Sequence, residues 1–524
     1  ANSVFFEGGG SYYSTLYNCT LTGNSSENSG GGVISSTLYN CILYYNTAFV
    51  GANYLDSIIN YSCTTPLPYG EGNINDDPLL ITSTHIPANS PCLGKGSSKY
   101  AIGVDIDGEQ WLDPPAMGAD EYILGNASGE IFVSIDVNYT NIATGFAISF
   151  IAQNQGAISA TVWDFGDGTT VSNRAFVNHS WTTPGDYIVR LTGYNDSFPS
   201  GSNATVIITV SQSVFYVNAE NSSPSFPYSS WETAAQTIQD AIDAGTLPGR
   251  LILVTNGIYD TGGSADYGRV ILTNAAIVKS ANGPTETFIV GSSASGGAIR
   301  CAYIVRDAVL SGFTLTNGSA QFGGGVLLET GGVVSNCVLV GNSAGIGGGA
   351  YFGTLYNYVF SDYYGLQCDT FFYSALYNCA LINNSASWNG GGAENVTLYD
   401  CILAGNTSGN SGGAACNSTL YNCTLTNNLA NMNGGGVYWC TLNNCGLTNN
   451  FAGNCGGGAF NSIVYNCALI NNSAKSYGGG AYFGMLYDCI LTKNSAYCGG
   501  GAYSSTNYDC TFTENSADLG GGAF

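Results

Sequence analysis

Residues 8–29 read GGGSYYSTLYNCTLTGNSSENS, and residues 30–51 read GGGVISSTLYNCILYYNTAFVG. The two stretches are successive copies of one unit, in which a glycine triplet is followed by Leu-Tyr-Asn-Cys and then by a polar turn. A unit this short cannot bury a hydrophobic core alone, so its copies must stack and share one. The repeat therefore predicts a β-solenoid.

The same unit recurs through the C-terminal part of the chain. Its cysteines lie 22 residues apart up to Cys489, and one more follows after 21, which gives the series Cys379, Cys401, Cys423, Cys445, Cys467, Cys489 and Cys510. Upstream, Cys337 and Tyr358 keep step at 21 residues, and near the N-terminus Cys19, Cys41 and Cys63 are again 22 apart. We therefore expect coils of 21–22 residues in both parts of the chain.

Alternation within TLYNCTL assigns the side chains of a coil. Leu16 is expected to point inward, Tyr17 outward, and Cys19 inward again, with Asn18 at a bend where its side chain bonds neighbouring backbone. Stacked coils place like on like. The expected outer stripe of tyrosines includes Tyr356, Tyr377, Tyr399, Tyr421, Tyr465 and Tyr487.

The cysteines allow two interpretations. They form either a ladder of small buried residues or disulfides between neighbouring coils, because the strand spacing of about 4.8 Å lies within the Cα separation that a disulfide tolerates. Five cysteines lie off the ladder and are better candidates for specific bridges: Cys368, Cys416, Cys440, Cys455 and Cys498.

Composition excludes several functions. The chain of 524 residues carries 35 acidic and only 11 basic residues, for a net charge of −24. A nucleic-acid binder needs clustered Lys and Arg, and an anionic lipid surface needs the same, so both partners are disfavoured. No apolar run is long enough for a membrane span. Zinc is disfavoured too, because there is no CxxC pair and the only histidines are His85 and His179.

Composition shifts divide the chain into four parts. Residues 1–124 carry repeats that decay into a terminal cap, and residues 130–212 alternate apolar and polar residues as a small antiparallel β-sandwich does. Residues 214–322 hold a predicted helix over residues 233–242, capped by Ser230, and then short β-runs. Residues 323–524 are regular coils.

Two resemblances support this division. WDFGDG at Trp163–Gly168, His179 and PGDY at Pro184–Tyr187 resemble a PKD domain, which implies an immunoglobulin-like extracellular module rather than an enzyme. The helix-bearing stretch from residue 214 resembles the N-terminal cap of right-handed parallel β-helix proteins of the pectin-lyase-like class. The GGG[AV] and NxxA units are also similar to the repeats of polymorphic outer-membrane proteins and related large bacterial surface proteins. The fold class expected is all-β: a right-handed parallel β-helix plus a PKD sandwich.

The order of these parts suggests how copies meet. The start of a β-helix lies in mid-chain, and its decaying end lies near the N-terminus. We therefore expect an extracellular or cell-surface structural protein that assembles head to tail into a fibre, needs no cofactor and has itself as partner. The residues expected at the joint are Ala1, Phe5, Phe6, Ala523 and Phe524.

Two other functions stay open. A carbohydrate-binding adhesin would use the outer tyrosines as flat faces for sugar rings. A polysaccharide lyase or hydrolase needs a base or two carboxylates, but residues 323–524 offer only Lys475 and Lys493 as bases, and Asp488 and Asp509 are expected to stand in for bend asparagines. We therefore predict no catalytic residue and no metal ligand.

Calcium and attached sugar are the remaining possibilities. Asp76 and Asp77, or Asp105 and Asp107, could hold Ca²⁺, although turn residues of this kind are common without it. N-x-Ser/Thr sequons in turns are candidates for glycosylation, whereas bend asparagines such as Asn18 and Asn422 are expected to face inward. The candidates are Asn24, Asn126, Asn317, Asn383, Asn406 and Asn471.

Overall fold

The computed structural model describes residues 2–4, 7–26, 29–48, 51–123, 125, 127–264, 267–292, 298–305, 307–329, 331–352 and 375–524. These residues form two compact units. One spans residues 1–212, and the other spans residues 213–352 and 375–524.

The second unit is a parallel β-solenoid with four strands in a regular coil. The first sheet has 12 strands, which contain the Leu-Tyr pair in the regular coils. Their bounds are Val214–Val217, Arg250–Val254, Ala276–Ser280, Val309–Ser311, Val333–Ser335, Ala375–Tyr377, Thr397–Tyr399, Thr419–Tyr421, Thr441–Asn443, Ile463–Tyr465, Met485–Tyr487 and Thr506–Tyr508.

The second sheet has 11 strands, which follow the ladder cysteines in the regular coils. Their bounds are Gly257–Tyr259, Thr287–Val290, Thr314–Thr316, Val338–Val340, Ala380–Ile382, Ile402–Ala404, Thr424–Thr426, Gly446–Thr448, Ala468–Ile470, Ile490–Thr492 and Thr511–Thr513.

The third sheet, with nine strands, precedes the glycine triplets of the regular coils, and the fourth sheet, with ten strands, follows them. The third comprises Ser319–Phe322, Ser343–Ile346, Ser385–Ala386, Thr407–Ser408, Leu429–Ala430, Phe451–Ala452, Ser473–Ala474, Ser495–Cys498 and Ser516–Leu519. The fourth comprises Val270–Leu272, Ala302–Ile304, Val326–Leu328, Ala350–Phe352, Ala393–Glu394, Ala415–Cys416, Val437–Tyr438, Ala459–Phe460, Ala481–Tyr482 and Ala502–Tyr503.

One left-handed residue turns the chain at each corner of a regular coil. In the coil from residue 456 these residues are Gly456 (φ 68°), Asn461 (φ 44°), Asn466 (φ 50°) and Asn471 (φ 53°). Glycine adopts this region freely and asparagine tolerates it better than most residues, which explains why these two types recur at the corners. Between corners, the middle residue of a strand points inward, as Val464 and Leu469 do with 0 % exposure.

One step in the first sheet is about twice as long as those that follow it. Val333–Ser335 pairs directly with Ala375–Tyr377, 42 residues further on. The coil predicted around Tyr358 falls between these two strands in the sequence. Tyr356 and Tyr358 themselves lie outside the described residues.

The only helix among the described residues is Ile238–Asp243, which is shorter than predicted. Its N-cap is Thr237, whose side chain accepts from the Asp240 N–H, whereas Ser230 bonds Thr233 in an earlier turn. Local hydroxyl hydrogen bonds thus hold residues 230–233 out of the helix. No helix in the described part of the chain is long and apolar enough to cross a membrane.

The first unit begins with short coils of the same kind, confirming the repeat in this part of the chain. Parallel pairing joins strands of successive coils in four small sheets. Their members are Ser3–Val4 with Ser25–Ser26; Ser11–Tyr12 with Val33–Ile34 and Tyr54–Leu55; Thr15–Tyr17 with Thr37–Tyr39 and Ile58–Asn60; and Thr20–Thr22 with Ile42–Tyr44 and Cys63–Thr64.

Residues 77–122, here called the covering segment, lie on the outside of these coils. Ile42 and Tyr44 point outward and are buried against Leu80, Ile86 and Met117, whereas Leu43 points into the coil. The stretch predicted as a cap therefore packs on the outer face of the coils. A hydrogen bond from Gly118 N–H to the Asn40 carbonyl (2.8 Å) holds the segment against the coils.

The sandwich has one three-stranded and one five-stranded sheet. The strands are Phe132–Val137, Ile148–Gln155 and Phe176–His179 in the first, and Asn141–Ala143, Phe198–Ser211, Gly185–Asn195, Ala160–Asp164 and Thr170–Ser172 in the second. Trp163 and Trp181 fill its core, and their indole N–H groups donate to the carbonyls of Arg174 and Phe165.

The sandwich also contacts the covering segment, which belongs to the same unit. Ala175 N–H donates to the Leu80 carbonyl at 2.8 Å, and Asn154 Nδ2 donates to the Ile81 carbonyl at 3.1 Å. Asp164 and Asp167 shape the turn within WDFGDG, because they accept from Gly166 N–H and Thr169 N–H.

Candidate functional site

The most regular surface of the chain is the interface between successive coils, and its glycines set how closely coils approach. Gly457 N–H donates to the Gly478 carbonyl of the next coil at 3.1 Å. A Cβ at Gly457 would lie 2.4 Å from the carbonyl oxygens of both Gly479 and Ser473. The first glycine of a triplet is there for its positive φ, and the second and third are there because the next coil leaves no room for a side chain.

An asparagine ladder runs through the core beside this glycine corner. The N–H and Nδ2 of Asn428 donate to Oδ1 of Asn450 at 3.0 and 2.9 Å, and Nδ2 also donates to the Leu403 carbonyl at 2.9 Å. Asn428 is 1 % exposed, so this network satisfies a fully buried amide. The same pattern joins Asn342, Asn384, Asn406, Asn428, Asn450, Asn472, Asn494 and Asn515.

The position of this ladder was missed by the sequence prediction. The bend asparagines Asn18 and Asn422 do not face inward: Asn18 is partly exposed and Asn422 is exposed. The inward residue is the second of the Asn-Asn pair, and the first, such as Asn427, is the exposed left-handed corner. The recurring Asn-Asn pair was the one signal in the sequence that could have revealed the ladder, because its first residue forms a corner and its second joins the ladder.

The ladder decides which sequons are accessible. Asn24 and Asn406 lie in ladder positions with 5 % and 0 % exposure, so the expectation that they are reachable is wrong. Their Nδ2 atoms already donate within the core, and a glycan there would displace those bonds. Asn317, Asn383 and Asn471 are exposed, and their glycosylation stays a prediction. Asn126 lies outside the described residues.

The cysteine ladder consists of free thiols. Every cysteine in the described part of the chain is free, including the off-ladder Cys416, Cys440, Cys455 and Cys498. Bridges at those four are therefore wrong in this structure, and Cys368 lies outside the described residues. Seven ladder members form one column: Cys379, Cys401, Cys423, Cys445, Cys467, Cys489 and Cys510.

Each ladder thiol has backbone partners. Cys423 Sγ donates to the carbonyls of Tyr421 (3.3 Å) and Leu398 (3.6 Å), and it is 1 % exposed. Burial raises the pKa of Cys337 to about 12 and that of Cys489 to about 11. Cys337 and Cys489 are therefore protonated and unreactive at neutral pH, and they act as small core residues.

The outer tyrosines stack on one another. Tyr377 and Tyr399, and then Tyr399 and Tyr421, have ring centroids 4.9 Å apart with rings within 7° of parallel. The predicted outward stripe is confirmed, since Tyr377 is 39 % exposed. Because each ring face is covered by the next ring, the stripe presents ring edges to solvent, which weakens the case for sugar stacking on it.

The sequence analysis did not predict a second aromatic ladder. Its members are the aromatic residues that follow each glycine triplet and one small residue, as in Gly-Gly-Gly-Ala-Phe at residues 456–460. It consists of Tyr438, Phe460, Tyr482, Tyr503 and Phe524, with successive centroids 5.0–5.5 Å apart. Ala523 pairs with Ala502, and so Ala523 and Phe524 occupy ordinary coil positions. Ala1, Phe5 and Phe6 lie outside the described residues.

The residues weighed for catalysis are not brought together. Asp488 and Asp509 are exposed left-handed corner residues (φ 53° and 51°) in the column that asparagine otherwise holds. Lys493 is paired with Glu514 at 3.5 Å. Such an arrangement offers a corner and a surface ion pair but no acid and base aimed at one point.

One buried acid stands out in the second unit. Glu394 occupies the position of the second aromatic ladder, between Tyr351 and Cys416, and is 6 % exposed. Burial raises the pKa of its carboxyl to about 8, against a weaker lowering by the Cys416 thiol. Its Oε2 has no hydrogen-bond partner among the described residues.

We expect this acid to make stability depend on pH. The folded-state pKa lies above the unfolded value of about 4.3, so the folded chain keeps a proton that the unfolded chain loses, and the free energy of unfolding falls as pH rises from about 4 to 8. Glu394→Gln should remove this slope and be more stable than the parent at pH 9, by at most about 5 kcal/mol. Urea unfolding at pH 5, 7 and 9 measures this, and parallel pH profiles of the two proteins would refute it.

Comparison with known proteins gives one family. The model of the PKD domain family matches residues 135–210. The chain has no match among the curated proteins with which it was compared.

Two solved structures are similar at low identity. An exopolygalacturonase of family 28 from Yersinia enterocolitica is 10 % identical, covering 74 % of this chain and 98 % of its own, with a TM-score of 0.27. The catalytic domain of a GH87 alpha-1,3-glucanase in complex with nigerose is 11 % identical, covering 75 % and 84 %, with a TM-score of 0.19. Neither score supports an argument about activity. The chain carries a PKD domain at residues 135–210 between two segments of parallel β-helix.

Proposed function

We propose that the chain is an extracellular structural protein whose solenoid coils pair end to end with coils of other copies. PKD domains are typical of extracellular and surface proteins, and one is present at residues 135–210. The single observation that carries the proposal is that successive coils pair in register, with the same type of residue at each matching position.

Both sides of a regular coil present the same groups at the same places. Leu398, Leu420 and Leu442 lie in register on successive strands, and so do Tyr399 and Tyr421. The upper side of one coil is therefore complementary to the lower side of any other coil of this type. A coil from a second copy would make the same backbone hydrogen bonds and extend the same ladders as a coil of the same chain.

The coils of the first unit have the matching pattern. Leu16 pairs in register with Leu38, and Asn24 donates from its N–H to Asn46 Oδ1 at 2.9 Å, as the ladder of the second unit does. Both solenoid segments are thus built from one interchangeable type of coil. Heterologous contacts of this kind propagate into filaments when they do not close on themselves.

Gly522 offers a sharp test of this pairing. In an interior coil, a Cβ at the equivalent Gly501 would lie 2.3 Å from the Gly522 carbonyl, whereas a Cβ at Gly522 meets nothing closer than Phe512 Cβ at 3.7 Å. In a polypeptide made of residues 1–524, Gly522→Val therefore leaves the coils of the chain intact but blocks a coil of another copy from pairing there. We expect the parent protein to sediment as large assemblies and Gly522→Val to lose association through this edge with an unchanged melting temperature.

Gly446→Val is the matched control. Gly446 lies in an outward position of the second sheet where neighbouring coils carry Thr424 and Ala468, and a Cβ there has nothing within 4 Å. This variant should associate like the parent. Sedimentation velocity that finds only monomers of the parent, or equal association of Gly522→Val and the parent, would contradict the proposal.

A carbohydrate-binding adhesin is the second candidate, and one observation favours it. Trp439 and Phe483, two coils apart in one corner column, are 50 % and 53 % exposed. Exposed aromatic rings are surfaces on which sugar rings can stack. Retention of the parent on an immobilised polysaccharide, lost in Trp439→Ala, would support this function over a purely structural one.

A further inference from the structure

Three stretches of the covering segment in the first unit bring together a histidine and two carboxylates. They are His85, Asp107 and Asp120, and one ligand atom from each lies within 4.8 Å of the other two. His85 Nε2 is 3.1 Å from Asp107 Oδ2. Zinc ligands at about 2.0–2.2 Å from the ion lie somewhat over 3 Å from one another, so a small closure of this group would suit one ion.

The imidazole is oriented from its far side. His85 Nδ1 lies 2.8 Å from Thr82 Oγ1 and 2.9 Å from Thr84 Oγ1. Thr82 Oγ1 also accepts from the backbone N–H groups of Thr84 and His85, which fixes the turn. A histidine held through one ring nitrogen with the other aimed at carboxylates is the usual arrangement of a metal ligand.

Asp120 is the second independent indication. It is 5 % exposed, and one of its oxygens accepts from Ile86 N–H at 2.9 Å. Its other oxygen has no hydrogen-bond donor among the described residues. A carboxylate this deeply buried is costly unless a cation or further donors compensate it.

The neighbouring buried Asp105 does not have this spare oxygen. Asp105 accepts from Asp107 N–H, Glu109 N–H and Glu121 N–H, using both oxygens. Glu121 accepts from Ala116 N–H at 2.8 Å. These two acids, both buried, add negative charge around the group, and no Lys or Arg of the described residues forms an ion pair with any of the five side chains.

We propose that His85, Asp107 and Asp120 bind one divalent transition-metal ion of the zinc class, with water completing the coordination. One imidazole nitrogen with two carboxylate oxygens favours zinc-class ions over calcium, which takes six to eight oxygen ligands. The sequence disfavoured zinc and offered Asp107 only as a possible calcium ligand beside Asp105, because a ligand set of one histidine and two distant aspartates has no recognisable spacing.

The ion would fasten the covering segment. Next to Asp120, Ala119 N–H donates to Thr20 Oγ1 and Gly118 N–H donates to the Asn40 carbonyl, both on the coils. Metal binding therefore couples three loop stretches to the coil surface, and it stabilises the folded state by mass action.

The test uses the full chain after treatment with a chelator. Calorimetric titration with Zn²⁺ should show one ion per chain and a rise in melting temperature. His85→Ala should weaken binding by at least about 100-fold, since loss of a ligand costs more than the 10–100-fold loss seen for outer partners. Asp107→Asn, on the more exposed side of the group, is the second ligand variant should His85→Ala misfold.

His179→Ala is the matched control. His179 Nε2 pairs with Asp167 at 2.8 Å in the PKD domain, but no third ligand joins that pair in the described residues. This variant should bind Zn²⁺ like the parent. The proposal would be overturned if the parent did not bind Zn²⁺ stoichiometrically, or if His85→Ala and Asp107→Asn both bound Zn²⁺ as tightly as the parent. A thiolate charge-transfer band on Co²⁺ substitution would place the ion on cysteines and would also overturn it.

Discussion

Gly480→Ala is expected to unfold the solenoid of the second unit around its substitution. A Cβ at Gly480 would lie 2.5 Å from the Gly501 carbonyl oxygen and 3.0 Å from Leu491 Cδ2. Both belong to the packed coil stack, so the backbone spacing itself would have to change. We expect a loss of about 3 kcal/mol or more in the free energy of unfolding, at the upper end of the usual cost of overpacking, because the clash is with backbone. Thermal and urea unfolding followed by circular dichroism measure it.

Gly446→Ala is the control for this prediction, and its effect should have the opposite sign. A Cβ at Gly446 meets nothing within 4 Å, and Gly446 lies within the strand Gly446–Thr448. Replacing such a glycine reduces the entropy of the unfolded chain and should stabilise by about 0.4–1 kcal/mol. Equal effects of the two substitutions would mean that glycine at the corner is not required by coil spacing.

Asn428→Asp is expected to have the second large effect. The replacement keeps the shape of the side chain and still accepts from Asn406, whose N–H and Nδ2 lie 2.9 and 3.0 Å from Asn428 Oδ1. It cannot donate to the Leu403 carbonyl or to Asn450 Oδ1, so two buried hydrogen bonds are lost, Asn450 Oδ1 keeps only the backbone N–H of residue 428 as donor, and a buried charge is added. Each unsatisfied buried group costs about 1–3 kcal/mol, so several kcal/mol should be lost at pH 7.

The adjacent Asn427→Asp is its matched control. Asn427 is an exposed left-handed corner (φ 55°), where the carboxylate stays in water, and we expect a change within about 0.5 kcal/mol. The loss in Asn428→Asp should shrink as the pH falls towards about 4, because burial raises the folded-state pKa of the new carboxyl above the unfolded value of about 3.9 and favours its protonated form. A loss of similar size in both variants would show that the ladder does not carry the predicted energy.

The period of the sequence predicted the architecture well, because in a solenoid every coil repeats the same local problem. The cysteine stride located the coils, and alternation within Leu-Tyr-Asn-Cys placed Leu inward and Tyr outward. WDFGDG and PGDY located the PKD domain, since the buried Trp163 and the turn at Asp164 and Asp167 need those residue types.

The wrong or missing predictions share one physical cause. They concern features that the alternation of apolar and polar residues does not determine. Two adjacent asparagines, such as Asn427 and Asn428, look alike in sequence, but only the second points inward after the left-handed corner. Spacing alone also did not show that Val333–Ser335 pairs directly with Ala375–Tyr377. The helix expected from Thr233 yields to hydroxyl hydrogen bonds at Ser230 and Thr237.

Of the candidate sites, the coil interface could be predicted from the sequence, whereas the proposed metal site could not. The coil interface follows from the repeat, and so its glycines and one aromatic stripe were predictable. The group of His85, Asp107 and Asp120 depends on how a segment without strands folds over the coils, and no periodicity governs that segment. Sequence reasoning considered Asp105 and Asp107 together, but the backbone N–H groups around Asp105 turn it away from that role.

High-resolution electron cryomicroscopy of the native assembled protein would show whether coils of different copies pair. We expect the asparagine and aromatic ladders to continue through the joint between copies at the same spacing of about 4.8 Å as within a coil stack. Particles that stay single, or copies that meet through the sandwich or the outer sheet faces with no coil paired to another, would contradict this expectation.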